Sequence, residues 1–307
     1  MVIAGPTAGG KSALALEIAE RFAGSIVNAD SMQVYRELRV LTARPGDADL
    51  ARTPHHLYGV LPAAERCSAA RWRSMAVAVL EDLHATGRVP VVVGGTGLYL
   101  RALMEGLADV PAVPEDMRRA ARARRAALGA GAFHAELSAR DPVMGARLDP
   151  GDTTRTLRAW EVLEATGRSL ADWQALPADG PPPGFRFLPV FVDPPRDVLY
   201  ARCDRRFGTM MDEGALDEVR ALDTLGLDPG LPAMKALGVP ELRAHLRGDR
   251  ALDDAVAHAR MQTRRYAKRQ VTWFRHQWAA LHGWHVSNAQ QTENLITELS
   301  RILRESR

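Results

Sequence analysis

Residues 5–12 read GPTAGGKS and follow the spacing G-x4-G-K-S. In such a phosphate loop, glycines let backbone N–H groups close around phosphate oxygens, and a helix beginning at Lys11 adds further donors. Lys11 is then expected to contact the phosphate oxygens, and Ser12 to face a Mg²⁺ ion. A glycine-rich turn without function is the alternative. The loop therefore predicts a phosphate-bearing ligand at the start of the chain.

Two acids follow predicted strands and could do chemistry beside this loop. The apolar run VPVVV ends in GGTGLY, without the acid that holds the metal's water shell in nucleotide hydrolases. Asp30 and Asp193 are the remaining strand-end acids. Because parallel sheets bind ligands at the carboxyl ends of their strands, Thr7, Asp30 and Thr96 are expected to converge on one crevice. Asp30 would act there as a metal helper or as a base.

Strands alternating with helices must position these residues. VIA, SIVNAD, VPVVVGG, FRFLPVFVD and GWHVS are predicted strands, and TENLITELSRILRE is an amphipathic closing helix. Ala23-Gly24 is expected to end the first helix. The pattern predicts an α/β fold of the P-loop NTPase-like kind, with a parallel sheet flanked by helices.

A long segment without convincing strands interrupts this alternation. Residues 110–184 are rich in Ala and Arg with helical periodicity, and DVPAVPED and PADGPPPGF mark its borders. We predict a helical insertion domain at 110–184. Residues 1–109 and 185–307 would form the catalytic core, which includes basic C-terminal helices.

Composition narrows the class of protein. The chain has 307 residues, 46% of them apolar, with a net charge of +3 and a pI near 9.1. Its apolar runs are too short to span a bilayer and its start is unlike a signal peptide, so a cytoplasmic protein without membrane contact is expected. Cys67 and Cys203 have no disulfide or zinc spacing, and the pair His55-His56 lacks a third ligand at sensible spacing.

Two basic runs point toward nucleic acid. RRAARARR (118–125) holds five arginines, and RMQTRRYAKRQVTWFR (260–275) holds six basic residues and no acid. Basic residues at four-residue spacing would give a helix with a broad positive surface. Such a run is often only a solvated face, and Trp273 and Phe274 could belong to the core.

The order of motifs resembles the tRNA dimethylallyltransferase family, also called isopentenyl-tRNA transferases, from residue 2 to about 280. No zinc-finger extension is expected after the last helix, as in the bacterial form. The resemblance implies transfer of a dimethylallyl group from dimethylallyl diphosphate to N6 of adenosine 37 in tRNA, with release of diphosphate. The matching segments are GPTAGGKS, NADSMQVYR, LTARP, HHL, VVVGGTGLYLRAL, DTTRTLRAWEV, RCDRRFGTMMDEG and RRYAKRQVTWFR.

The resemblance also implies roles for residues. Asp30 matches the catalytic aspartate, which accepts the proton of the adenine amine, and Arg206 matches an arginine that clamps the diphosphate. Ordering of metal-bound water is the alternative for Asp30. For Arg206 the alternative is a salt bridge, with Arg202 and Arg205 as competitors for its role. The diphosphate site would comprise Gly5, Thr7, Ala8, Gly9, Gly10, Lys11 and Ser12.

The tRNA site implied in this way has a pocket for the adenine and a set of further contacts. Asp30, Ser31, Met32, Gln33 and Thr96 would line the pocket of the extruded adenine. Thr154 stands where the family usually has glutamine, and the segment LGVP, which follows Lys235 and Ala236, departs from the family's pattern. The remaining predicted tRNA contacts are Arg118, Thr154, Arg155, Arg158, Lys235, Arg264, Lys268 and Arg269.

Two other functions fit parts of the sequence. A P-loop small-molecule kinase or ATPase would use the same loop but would need an acid on the metal. A non-catalytic RNA-binding protein would hold tRNA independently of Lys11. The expected partners are tRNA and dimethylallyl diphosphate, with Mg²⁺ as cofactor and the protein as a monomer.

Overall fold

The computed structural model describes residues 1–278 and 283–305. Within these ranges, six strands form one parallel sheet in the order β3-β2-β4-β1-β5-β6. The predicted parallel α/β fold is confirmed. The strands are β1 (Val2–Ala4), β2 (Gly24–Asn28), β3 (His55–His56), β4 (Val89–Gly94), β5 (Pro189–Val192) and β6 (Trp284–Val286).

Strand β3 was not predicted, because two polar residues carry no periodic apolar signal. It pairs with β2 through Ile26 and Val27. The predicted strand FRFLPVFVD is shorter than expected, since only its last part pairs with β1.

The helices alternate with the strands and also form the segment between β4 and β5. A short 3-10 helix covers Ala233–Lys235. The α-helices are α1 (Lys11–Arg21), α2 (Asp47–Arg52), α3 (Ala69–Ala85), α4 (Gly97–Glu105), α5 (Glu115–Arg140), α6 (Pro142–Arg147), α7 (Thr153–Thr166), α8 (Leu170–Gln174), α9 (Arg196–Asp212), α10 (Ala215–Thr224), α11 (Val239–Leu246), α12 (Leu252–Trp278) and α13 (Ala289–Glu305).

The chain forms two compact units, one of residues 1–104 with 182–307 and one of residues 105–181. In the first unit the sheet carries an apolar layer on each face. Val2 and Ala4 point into one layer and Ile3 into the other, as expected from the alternation of side chains along a strand. Burial on both faces explains why the central strands β1, β4 and β5 carry apolar side chains.

The second unit has its own core between α5, α6, α7 and α8. Phe133 and Leu137 of α5 are fully buried there against Trp160 of α7, whose ring centroid lies 4.9 Å from that of Phe133. Asp141 caps α6 by accepting the Met144 N–H at 3.0 Å. This unit is therefore stabilised by packing of its own.

The end of α1 differs in detail from the prediction. The helix ends at Arg21, and Ala23 adopts a left-handed φ of 49° before Gly24 begins β2. Of the helices in the described part of the chain, none combines the length and the apolar character needed to cross a bilayer.

Candidate active site

The phosphate loop joins β1 to α1 at the carboxyl edge of the sheet. The Gly9 N–H donates to the Pro6 carbonyl at 3.1 Å, which closes the turn. Gly10 precedes the helix with φ 99°, a conformation that side-chain-bearing residues rarely adopt. The first turn of α1 therefore presents its free N–H groups next to the loop, which is the arrangement that binds an anion.

Lys11 belongs to this loop and to the first turn of α1. Its Nζ donates to the Pro6 carbonyl at 2.6 Å. Burial lowers the pKa of Lys11 to about 8, and Asp30 opposes this shift while Arg206 adds to it. The ammonium therefore lies in a setting where an additional negative charge would stabilise it.

Thr7 is held from two other elements. Its N–H donates to Oε1 of Gln270 at 2.8 Å, and Nε2 of Gln270 donates to the Gly95 carbonyl at 2.8 Å. Gln270 is 6% exposed and lies on α12. Sequence reasoning missed this residue, because it lies within a basic run and carries no local signal of its own.

Arg206 of α9 approaches the loop from the other side. Its Nη2 donates to Oγ1 of Thr7, and burial lowers the pKa of the guanidinium. Together with Arg202, Arg205 and Thr209, Arg206 lines a cavity of about 420 Å³ that also includes residues 7–13 and Asp30. All three candidate arginines border this cavity, and Arg206 is the one that contacts Thr7.

Asp30 follows β2 and forms a tight local turn. Its Oδ1 accepts the Met32 N–H at 2.9 Å, and its own N–H donates to Oδ1 of Asn28 at 2.8 Å. Ser31, the next residue, donates its N–H to Oγ1 of Thr96 at 2.9 Å. Asp30 and Thr7 line the same cavity. Thr96 does not line it, but Thr96 is hydrogen-bonded to Ser31, which follows Asp30 in the chain.

The loop of residues 39–43 forms another wall of the cavity. Glu218 of α10 accepts three backbone N–H groups from residues 39–41, at 2.7, 2.7 and 3.0 Å. Gln33 donates from Nε2 to the Thr42 and Ala43 carbonyls at 2.8 and 3.0 Å. Glu218 is a second positioning residue that the sequence analysis missed, since it lies far along the chain from the loop that it holds.

A smaller cavity of about 70 Å³ adjoins the same residues. Thr7, Asp30, Thr42 and Arg206 line both cavities. The other residues that line the small cavity are mainly apolar: Met32, Leu41, Cys203, Phe207, Met210, Ala236, Leu237, Thr263 and Tyr266. The site thus has a polar part at the phosphate loop and an apolar part beside it.

Two tyrosines contribute neutral hydroxyls at the edge of the site. Tyr58 lines the larger cavity and Tyr266 the smaller one. Burial raises the pKa of both phenols, and the charge of Asp30 adds to the shift. Both therefore stay protonated at neutral pH.

The described residues contain no cluster of His, Cys, Asp or Glu that could hold a metal by itself. Asp193, the other strand-end acid, forms an ion pair with Nε of Arg275 at 2.9 Å. Asp30 is therefore the strand-end acid that borders the cavity.

Helix α12 places its predicted RNA contacts in different settings. Arg264 forms an ion pair with Asp204. Lys268 and Arg269 are exposed, and the guanidinium of Arg269 lies 5.7 Å from the Tyr266 ring centroid. Phe274 is fully buried and Trp273 half-buried. Lys235 is exposed at the end of the 3-10 helix.

The second unit carries the other predicted contacts. Arg155 and Thr154 are exposed in the first turn of α7, and Nε of Arg155 lies 3.6 Å from Oδ2 of Asp152. Arg118 donates from Nε to the Val113 carbonyl at 3.1 Å. Burial lowers the pKa of Arg158, and the neighbouring charge of Arg118 adds to this. Arg118 and Arg158 therefore lie close enough for their charges to interact, and the charge of Glu161 opposes this effect on Arg158.

Comparisons with known proteins identify the family of this chain. The family model described as IPP transferase matches residues 33–277, and the one described as isopentenyl transferase matches residues 1–58. Among curated relatives, the tRNA dimethylallyltransferase of Rhodospirillum centenum is 65% identical over 91% of this chain and 89% of its own. The enzyme of the same name from Paramagnetospirillum magneticum is 51% identical over 99% of this chain and 96% of its own.

Solved structures give the same result. The full-length tRNA isopentenylpyrophosphate transferase of Bacillus halodurans is 31% identical with a TM-score of 0.68, covering 99% of this chain and 96% of its own. A eukaryotic dimethylallyltransferase acting on tRNA is 27% identical with a TM-score of 0.72, covering 89% and 69%. Since the IPP transferase model spans most of the chain and two curated relatives are 65% and 51% identical over the 280 and 305 residues that align, this chain belongs to the IPP transferase family.

Proposed function

We propose that this protein transfers a dimethylallyl group from dimethylallyl diphosphate to N6 of adenosine 37 in tRNA. The relatives named tRNA dimethylallyltransferase support this function. The single observation that carries it is the cavity shared by the phosphate loop, Arg206 and Asp30. That cavity offers donors for a leaving diphosphate and a carboxylate for an amine proton.

The phosphate loop acts on the leaving group. During transfer the bond between C1 of the donor and the diphosphate oxygen breaks, and its electron pair leaves with the diphosphate. Donors aimed at this growing negative charge act mainly in the transition state. The proposed diphosphate site comprises Gly5, Thr7, Ala8, Gly9, Gly10, Lys11, Ser12 and Arg206.

The residues at the loop also fit a Mg²⁺ ion. Mg²⁺ keeps several waters and needs only one or two protein ligands beside phosphate oxygens. The exposed Ser12 in the first turn of α1 supplies one such oxygen on the cavity wall. When bound, the ion would neutralise charge on the diphosphate, with Ser12 as its protein ligand.

Asp30 acts on the acceptor. The adenine amine is a weak nucleophile because its lone pair is delocalised into the ring. As N6 forms its bond to C1, the Asp30 carboxylate accepts the proton that N6 loses. The turn that fixes Asp30 leaves Oδ1 bonded to the Met32 N–H and keeps the carboxylate at the cavity.

The tRNA binds around this site through the residues that match the family. Ser31, Met32, Gln33 and Thr96 contact the extruded adenine with Asp30. The insertion, residues 110–184, grips the RNA through Arg118, Thr154, Arg155 and Arg158, while Lys235, Arg264, Lys268 and Arg269 contact it from the core. The enzyme works in the cytoplasm, where tRNA is found, as a monomer.

The test is a transfer assay with purified protein, Mg²⁺, labelled dimethylallyl diphosphate and unmodified tRNA. Label should enter tRNA with adenosine at position 37 and not a matched tRNA with guanosine there. Turnover of ATP without tRNA labelling would instead identify a kinase or ATPase. Binding of tRNA that is unchanged in Lys11→Met, with no transfer by the wild type, would identify a non-catalytic RNA-binding protein.

A further inference from the structure

Asn28, the last residue of β2, carries a buried amide two residues before Asp30. The side chain is 0% exposed. Its Oδ1 accepts the Asp30 N–H at 2.8 Å, and its Nδ2 donates to the Asp30 carbonyl at 3.1 Å. The first of these bonds is the one by which asparagine closes a turn over the residue two positions later. A single amide therefore holds both backbone polar groups of Asp30.

The same amide also holds a second segment of the cavity wall. Nδ2 of Asn28 donates to the Leu57 carbonyl at 3.0 Å. Leu57 is buried and has φ 65°, a conformation that leucine rarely adopts. Backbone of this kind persists only where its surroundings hold it. Tyr58, the next residue, lines the cavity together with Asp30, so Asn28 joins two segments that border the cavity.

Asn28 is itself anchored by the sheet and by α3. Its backbone is in register with Val93 of β4. Nε1 of Trp72 donates to the Asn28 carbonyl at 2.9 Å. Trp72 is fully buried and stacks on Tyr99, with ring centroids 4.7 Å apart. Because a closely packed interior leaves a side chain little room to move, the amide of Asn28 is a rigid support for Asp30.

These contacts decide where the Asp30 carboxylate stands. Oδ1 accepts the Met32 N–H at 2.9 Å, and no donor among the described residues bonds to Oδ2. Oδ2 is therefore the oxygen that can receive a proton from a substrate. A proton acceptor must come within about 2.6–3.2 Å of the atom that loses the proton. A small displacement of the Asp30 backbone would take the carboxylate out of this range.

We propose that Asn28 is a positioning residue of this enzyme, which acts through Asp30. The inference rests on the proposed function, in which Asp30 accepts the N6 proton. Asn28 does not line either cavity beside the phosphate loop, so it contacts neither the donor nor the adenine there. Loss of its amide should therefore lower kcat through misplacement of Asp30, while donor and tRNA bind as before.

The experiment compares Asn28→Ala, Asp30→Asn and the double variant in the tRNA labelling assay. We expect kcat of Asn28→Ala to fall on the order of 10²-fold, the cost of moving a reacting group by about 1 Å. The dissociation constants for donor and tRNA should stay near those of the wild type. The double variant should have the same kcat as Asp30→Asn alone, because residues that act as a unit have non-additive effects.

Asn28→Ser is the conservative variant. A serine hydroxyl closes the same kind of turn more weakly, so it can still accept the Asp30 N–H. We expect kcat of Asn28→Ser to lie between those of Asn28→Ala and the wild type. If Asn28→Ala does not fold, Asn28→Ser with and without Asp30→Asn gives the same test of non-additivity.

Thr53→Val is the matched control, because it removes a buried hydrogen bond to the other end of β2, from Oγ1 to the Gly24 carbonyl at 3.0 Å. It should lower the Tm while kcat stays near that of the wild type. Wild-type kcat in both Asn28 variants would overturn the inference. Losses that multiply in the double variant, or an equal loss of kcat in Thr53→Val, would overturn it too. A wild type that labels no tRNA would instead remove the proposed function, and the inference with it.

Discussion

Arginines occupy two different settings in this protein. On α9, Arg206 contacts Thr7 at the edge of the cavity, and burial lowers the pKa of its guanidinium. In the basic runs of α5 and α12, Arg124 pairs with Glu136 and Arg264 with Asp204. The sequence suggested broad positive surfaces in these runs, but part of that charge is neutralised by carboxylates: Glu136 lies further along α5 itself, and Asp204 lies on α9.

The number of basic residues in a segment therefore does not predict how strongly that segment attracts an anion. Exposed ion pairs contribute only about 0–1 kcal/mol to stability, and they also reduce the positive potential available to RNA. A partly buried guanidinium beside an anion site attracts a bound anion more strongly, because less water screens the interaction.

The largest effect is expected for Asp30→Asn. The amide oxygen can still accept the Met32 N–H, so the turn is preserved, but the residue no longer accepts a proton. We expect kcat to fall by about 10²- to 10⁴-fold. The binding constants for tRNA and donor should stay near those of the wild type, as measured by filter binding and calorimetry. Loss of tRNA binding at unchanged kcat would make Asp30 a recognition residue.

The second effect distinguishes neighbouring arginines. Arg206→Gln removes the donor that meets Thr7, and kcat/KM should fall by about 10²- to 10³-fold. Arg205→Gln is the matched control, since Arg205 lines the same cavity but is exposed. Arg205→Gln should lower kcat/KM several-fold at most. Equal losses in both variants would show that net positive charge at the cavity matters and the contact to Thr7 does not.

The third effect is a pH dependence. Burial lowers the pKa of Lys11 from its usual 10.5 to about 8. A bound diphosphate favours the protonated ammonium, so the free protein must take up a proton to bind above pH 8. Donor affinity should therefore fall as pH rises above about 8, by up to about tenfold per pH unit.

Lys11→Met should bind the donor more weakly and lack this pH-dependent component. Subtracting its profile from that of the wild type cancels the titration of the donor itself. Calorimetric titrations between pH 7 and about pH 10 would measure the difference. Parallel profiles would show that Lys11 does not change protonation when the donor binds.

The smallest effect concerns the basic helices. Lys268 is exposed, whereas Arg264 is paired with Asp204. We expect Lys268→Gln to reduce the slope of log tRNA affinity against log salt by about one, and Arg264→Gln to change it less. A larger change for Arg264→Gln would show that the ion pair opens when RNA binds.

Much of the fold could be predicted because the apolar strands and the glycine-bounded helices leave local signals. Strand β3 was not predicted, since His55 and His56 form a strand only through their pairing with β2. In the site, Lys11, Asp30 and Arg206 were predicted from motifs. Glu218 and Gln270 were not, because each acts on backbone far away in sequence. The identity of a single Glu or Gln says nothing about which loop it will hold.

The sequence by itself determined the phosphate loop. Its turn and helix start depend on contacts within a few residues, such as the Gly9 N–H with the Pro6 carbonyl, and on the φ of Gly10. Only the tertiary structure decided what surrounds that loop. Thr7 meets Arg206 across 199 residues and Gln270 across 263. Such contacts depend on how the sheet and helices pack, since no local pattern encodes which distant side chain will arrive.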